Sequence, residues 1–86
     1  MSDKRKFVAS SELFSNFEYE ISLYSISSID DIFKQFKKAM MDIFIENNFS
    51  VLQKKLEETE FHIHGKTIEE ILTSDPEDIF FICDHT

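Results

Sequence analysis

The sequence predicts an α+β fold: a small mixed three-stranded sheet packed by one long helix and two short helices, in the order β-α-α-β-α-β. Three observations carry that prediction. Residues 17–26 begin by alternating, with Phe17, Tyr19, Ile21 and Leu23 on one face and Glu18, Glu20, Ser22 and Tyr24 on the other, the period of a half-buried strand. Ile29, Ile32, Phe33, Phe36, Met40, Ile43 and Phe44 recur at three- and four-residue steps, the stripe of an amphipathic helix. Ile79-Phe80-Phe81-Ile82-Cys83 is apolar at every position, as in a strand covered on both faces, and is the expected central strand.

Local signals bound the elements in chain order. Residues 1–10 read as a flexible lead, and Ser10 to Phe14 as at most a short helical turn. Ser28, with Asp30 and Asp31 in the following turn, marks the start of the long helix, because side-chain oxygens and carboxylates satisfy the free N–H groups there. Asn47-Asn48 ends it, since Asn tolerates the left-handed backbone that closes helices. Ser50 and Gln53 form the pattern of a second capping box, opening a short helix through Val51, Leu52 and Leu56 to about Glu58. Glu60 to His64 alternates again, with Phe61 and Ile63 together and the histidines opposite, and runs into the sole glycine, Gly65. Thr67 and Glu70 then cap a helix carrying Ile68, Ile71 and Leu72, which Asp75-Pro76 halts.

With 86 residues the chain makes a single α+β domain, 1–86, and its one Gly and one Pro exclude low-complexity and collagen-like classes. Ten phenylalanines supply much of the core, so Phe36→Ala and Phe81→Ala are each expected to cost about 3–5 kcal/mol. The net charge of -8 argues against binding nucleic acid or an anionic membrane, both of which need a cationic footprint. That charge is uneven. Residues 1–56 balance, whereas residues 57–86 hold nine acidic residues against one base, Lys66. A lone cysteine forms no internal disulfide, and no apolar run reaches membrane-spanning length, so a cytoplasmic location is expected. Eight Lys to one Arg, with eleven Ile and two Ala, is the usage that AT-rich codons write.

All three histidines and the cysteine fall in two tripeptides, His62-Ile63-His64 and Cys83-Asp84-His85. Residues two apart on a strand point the same way, so His62, His64, Cys83 and His85 form a candidate tetrahedral zinc set, with Glu60 or Asp84 able to orient an imidazole. Against it stands the plainer reading of a solvated His-x-His face and a buried structural cysteine, because Cys83 shares its side with Ile79 and Phe81. Gly65-Lys66-Thr67 resembles the tail of a phosphate-binding loop, but Glu60 stands where that loop needs its first glycine. A Cys83–His pair lacks an oxyanion-hole loop, so no enzyme activity is expected. On the long helix Met41 and Ile45 lie off the apolar stripe, beside Lys34 and Lys38, and form a second strip suited to a partner or to a second copy of the chain.

The last third, Phe61-His62-Ile63-His64, then Ile68-Glu69-Glu70-Ile71-Leu72, then Phe81-Ile82-Cys83-Asp84-His85, resembles a group of small uncharacterised proteins of large nucleocytoplasmic DNA viruses. The resemblance covers residues 58–85 and brings no activity with it. In those sequences a further cysteine follows the last histidine, and Thr86 stands in its place here. The function expected is therefore that of a small acidic, non-enzymatic protein–protein interaction module of viral or phage origin, acting in the host cytoplasm. It would bind a basic partner through Glu69, Glu70, Asp75, Glu77 and Asp78, with Met41 and Ile45 as an apolar supplement. The alternatives are a zinc-stabilised domain built on His62, His64, Cys83 and His85, and a homodimeric structural protein.

Overall fold

The computed structural model describes residues 3–10, 14 and 17–84. It is an α+β fold with a mixed three-stranded sheet and three α-helices. The strands are β1 (Lys4–Ala9), β2 (Glu18–Ser22) and β3 (Ile79–Ile82), and the helices are α1 (Ile29–Glu46), α2 (Ser50–Glu58) and α3 (Ile68–Leu72), with a 3-10 turn at Leu23–Ser25. From Glu18 onward the order is β-α-α-β-α-β if the segment around His62 is counted, although that segment contributes one antiparallel bridge, His62 to Cys83, rather than a full strand. The additional strand is β1, in the stretch expected to be a flexible lead.

The sheet order is β2-β1-β3, with β1 antiparallel to β2 and parallel to β3. The central strand is therefore β1, and the expectation for Ile79–Cys83 is corrected: β3 lies at an edge. Phe80 and Ile82 point into the core, while Ile79 and Phe81 are 48% and 60% exposed on the other face. An unbroken apolar run does not distinguish a strand covered on both faces from an edge strand with an apolar outer side.

One core joins the inward residues of the sheet (Phe7, Ala9, Ile21, Phe80, Ile82) to the α1 ladder Ile32, Phe36, Met40 and Phe44 and to Leu56, Phe61 and Ile71. Aromatic rings fill its centre. Phe36 meets Phe17 and Phe61 edge to face, and Phe7 stacks on Phe80 at 5.5 Å between centroids. Such pairs add to area burial because the ring edge is positive and its face negative.

The helix ends follow their local chemistry with one exception. The Ser28 hydroxyl accepts the Asp31 N–H, and the Asp31 carboxylate accepts the N–H and hydroxyl of Ser27 at 2.8 and 2.9 Å. At the other end of α1, Asn48 takes a left-handed φ of 59°, and the N–H groups of Phe49 and Asn48 return to the carbonyls of Phe44 and Ile45. Phe49 packs its ring on Phe44, which completes a Schellman closure. The exception is Ser50. It is the first helical residue of α2 rather than its cap, and the N-cap position, Phe49, makes no side-chain cap bond. Gln53 instead donates to the Phe44 carbonyl, because the closure at Asn48 brings the end of α1 within reach of α2.

Candidate functional site

The acidic residues cluster on α3 and on the turn leading into β3. Glu69, Glu70, Asp75, Glu77 and Asp78 are all exposed, and among the described residues none of them takes part in a salt bridge. The scaffold beneath is rigidly tied. Thr67 caps α3 by accepting the Glu70 N–H. Asp78 closes the turn, since its carboxylate accepts the Asp75 N–H at 3.1 Å while its own N–H donates to the Asp75 carbonyl at 3.0 Å.

What holds this platform on the sheet is Arg5, the only arginine, buried at 6% exposure on the core side of β1. Its Nε donates to Ser74 Oγ at 3.0 Å, and its Nη2 donates to the Ser74 carbonyl at 2.7 Å. Ser74 Oγ in turn donates to the Ile71 carbonyl at the end of α3. Ser74 follows the α3 cap Thr73, and its N–H and hydroxyl satisfy the Ile71 carbonyl that the helix leaves open, so Arg5 ties the end of α3 to the sheet through Ser74. Sequence reasoning missed Arg5. Its signal was the alternation of Arg5, Phe7 and Ala9, hidden by the charges of Lys4 and Lys6 on either side.

The acidic third is not wholly segregated from cations. Lys4 and Lys6 line a groove of ≈380 Å³ together with Glu20, Glu77 and Asp78. The outward acids Glu69, Glu70 and Asp75 stand outside that groove.

The two histidine-bearing tripeptides meet in part. His62 and Cys83 exchange both backbone hydrogen bonds, at 2.8 and 2.9 Å, so the two segments lie side by side in antiparallel register. The imidazoles of His62 and His64 stack with centroids 6.2 Å apart. Cys83 is buried, and its thiol donates to the His62 carbonyl at 3.5 Å. His85 lies outside the described residues. Among the described residues no three His, Cys, Asp or Glu side chains are grouped to hold a metal.

The second strip on α1 is divided. Met41 is half-buried and packs on the core, whereas Ile45 is 55% exposed. Nearby on the chain, Phe49 and Val51 are also exposed. Lys37, one turn before Met41 on the same side of the helix, donates to the Thr59 carbonyl with its ammonium 5.6 Å above the Phe61 ring. No helix of the described residues is long and apolar enough to cross a membrane. Comparison with known proteins finds no matching family model, no matching curated protein and no matching solved structure.

Proposed function

We propose that this chain is a small non-enzymatic interaction module that docks a basic surface of a partner protein on the platform formed by α3 and the turn before β3. The observation that carries this reading is the exposure of Glu69, Glu70, Asp75, Glu77 and Asp78 on a segment braced by Arg5, with no salt bridge to neutralise them among the described residues. Carboxylates clustered on one braced segment attract a cationic partner from a distance and restrict its orientation. Uncompensated surface charge also opposes folding slightly through self-repulsion, so its concentration on one platform is better explained by binding than by stability.

The test is capture of partner proteins by the immobilised full chain at about 20 mM and about 150 mM salt, where the screening length falls from roughly 20 Å to 8 Å. A triple variant, Glu69→Gln, Asp75→Asn and Glu77→Gln, removes charge without touching the Thr67 cap or the Asp78 carboxylate. A partner held at low salt, weakened about tenfold at the higher salt and lost by the triple variant supports the reading. A partner captured equally under all these conditions refutes it.

A further inference from the structure

The two edges of the sheet are bordered differently. Across a groove from β3 stand this chain's own Ile63, His64 and Lys66, and His62 bridges Cys83 just beyond the strand. The β2 edge has no such neighbour over Glu18 to Glu20. The Ala9 N–H donates to the Phe17 carbonyl and the Leu23 N–H to the Asp3 carbonyl, so in the antiparallel ladder Phe17, Tyr19, Ile21 and Leu23 turn their main-chain groups toward β1. Those of Glu18 and Glu20 therefore turn outward. Among the described residues, the outward N–H and C=O of these two glutamates have no partner, and Glu18, Tyr19 and Glu20 are all exposed.

The side chains along this edge form two unlike rows. Glu18 and Glu20 lie on the face away from the helices, where Lys6 of β1 reaches Glu18 at 3.7 Å from the inner side, an exposed pair that contributes little. Tyr19 lies on the helix side and lines a groove of ≈280 Å³ with Gln35, Lys38, Ala39 and Asp42 of α1. The Gln35 amide is already held by the carbonyl and hydroxyl of Ser25. One ammonium and one carboxylate remain in the groove, so it favours an uncharged side chain that can hydrogen-bond.

We propose that the β2 edge takes an extended segment of a partner protein as a fourth, antiparallel strand, with Lys or Arg opposite Glu18 and Glu20 and a tyrosine between them, opposite Tyr19. Each open N–H and C=O then meets the residue directly across from it. The basic side chains lie about 5 Å from the glutamates, whereas Lys4 and Lys6 stand one strand further in, roughly 10 Å away. The tyrosine ring packs beside Tyr19 as a cross-strand aromatic neighbour, and its hydroxyl can donate to Asp42 or accept from Lys38. Charge excludes a second copy of this chain, because any strand register that uses both glutamates sets Glu against Glu. The same carboxylates that keep like edges apart admit a basic strand. This surface shares no residue with the acidic platform on α3, and neither proposal depends on the other.

NMR titration of the full chain with a capped heptapeptide tests this, the peptide carrying lysine-tyrosine-lysine at its centre on a threonine and valine background. The expected dissociation constant is on the order of 10⁻⁴ M, as for a short overlap. The amide signals of Glu18 and Glu20 should shift, and their exchange with solvent should slow at least tenfold, while Tyr19 and Ile21 are protected throughout. Glu18→Gln together with Glu20→Gln is expected to weaken binding about fivefold. A peptide N-methylated at both lysines keeps its charge but cannot donate to the edge, and should not bind. The chain carrying Glu69→Gln, Asp75→Asn and Glu77→Gln should bind the peptide unchanged, which separates this edge from the platform. Absence of shifts at about 1 mM peptide overturns the proposal, as do shifts that fall on α3 instead of β2 or equal binding of the N-methylated peptide.

Discussion

Arg5 shows how one side chain sets the geometry of a distant surface. It sits on the first strand, yet its guanidinium grips Ser74, sixty-nine residues away, and through Ser74 the end of α3. Replacing it with Met keeps the apolar stem but leaves the Ser74 carbonyl without its donor, a loss of about 1–3 kcal/mol. For a chain of this size that lowers Tm by roughly 5–15 °C, measured by thermal unfolding. Arg5→Lys should recover only part of it, because an ammonium cannot reach the hydroxyl and the carbonyl with a planar fork. Asp31 is a second residue whose chemistry is local and testable. The N–H and then the hydroxyl of Ser27 hold its carboxyl below the ordinary aspartate range. With the folded value depressed, its contribution to stability is complete above the unfolded value and is lost as pH falls through the folded one. Carboxyl-detected NMR titration should show the low value, and Ser27→Ala should raise it part of the way back by removing the hydroxyl and leaving the backbone donor.

At the scale of elements, α1 and β3 illustrate opposite fates for apolar residues. Phe36 is fully buried on α1 between Phe17 and Phe61, so Phe36→Ala should cost about 3–5 kcal/mol in urea unfolding. Phe81 carries the same side chain on β3 but stands on the open face. At low protein concentration Phe81→Ala should cost less than about 1 kcal/mol, contrary to the equal costs that the sequence suggests. The helix boundaries were legible because capping and closure involve residues three to five positions apart, as at Ser28, Thr67 and Asn48. Ser50 misled for the same reason. Its spacing to Gln53 is right for a cap, but the closure at Asn48 leads the chain into α2 one residue early, and Gln53 finds the Phe44 carbonyl instead.

In the whole molecule, a sheet with one helix-covered face and one open face leaves two kinds of surface on the same segment. The acidic platform on α3 and its turn carries the proposed docking of a cationic partner, and Ile79 and Phe81 stand exposed on the sheet face away from the helices. By itself the sequence determined the α+β class, the long helix with its caps and the acidic third. These depend on periodicity and on neighbours a few residues apart. Only the tertiary structure decided that Lys4–Ala9 is the central strand, that Arg5 is buried, and that β3 is an edge with Ile79 and Phe81 turned outward. Each of these rests on which distant segment lies alongside, Ser74 beside Arg5 or β1 beside β3, and the alternation of Arg5, Phe7 and Ala9 marks a strand without telling what it pairs with.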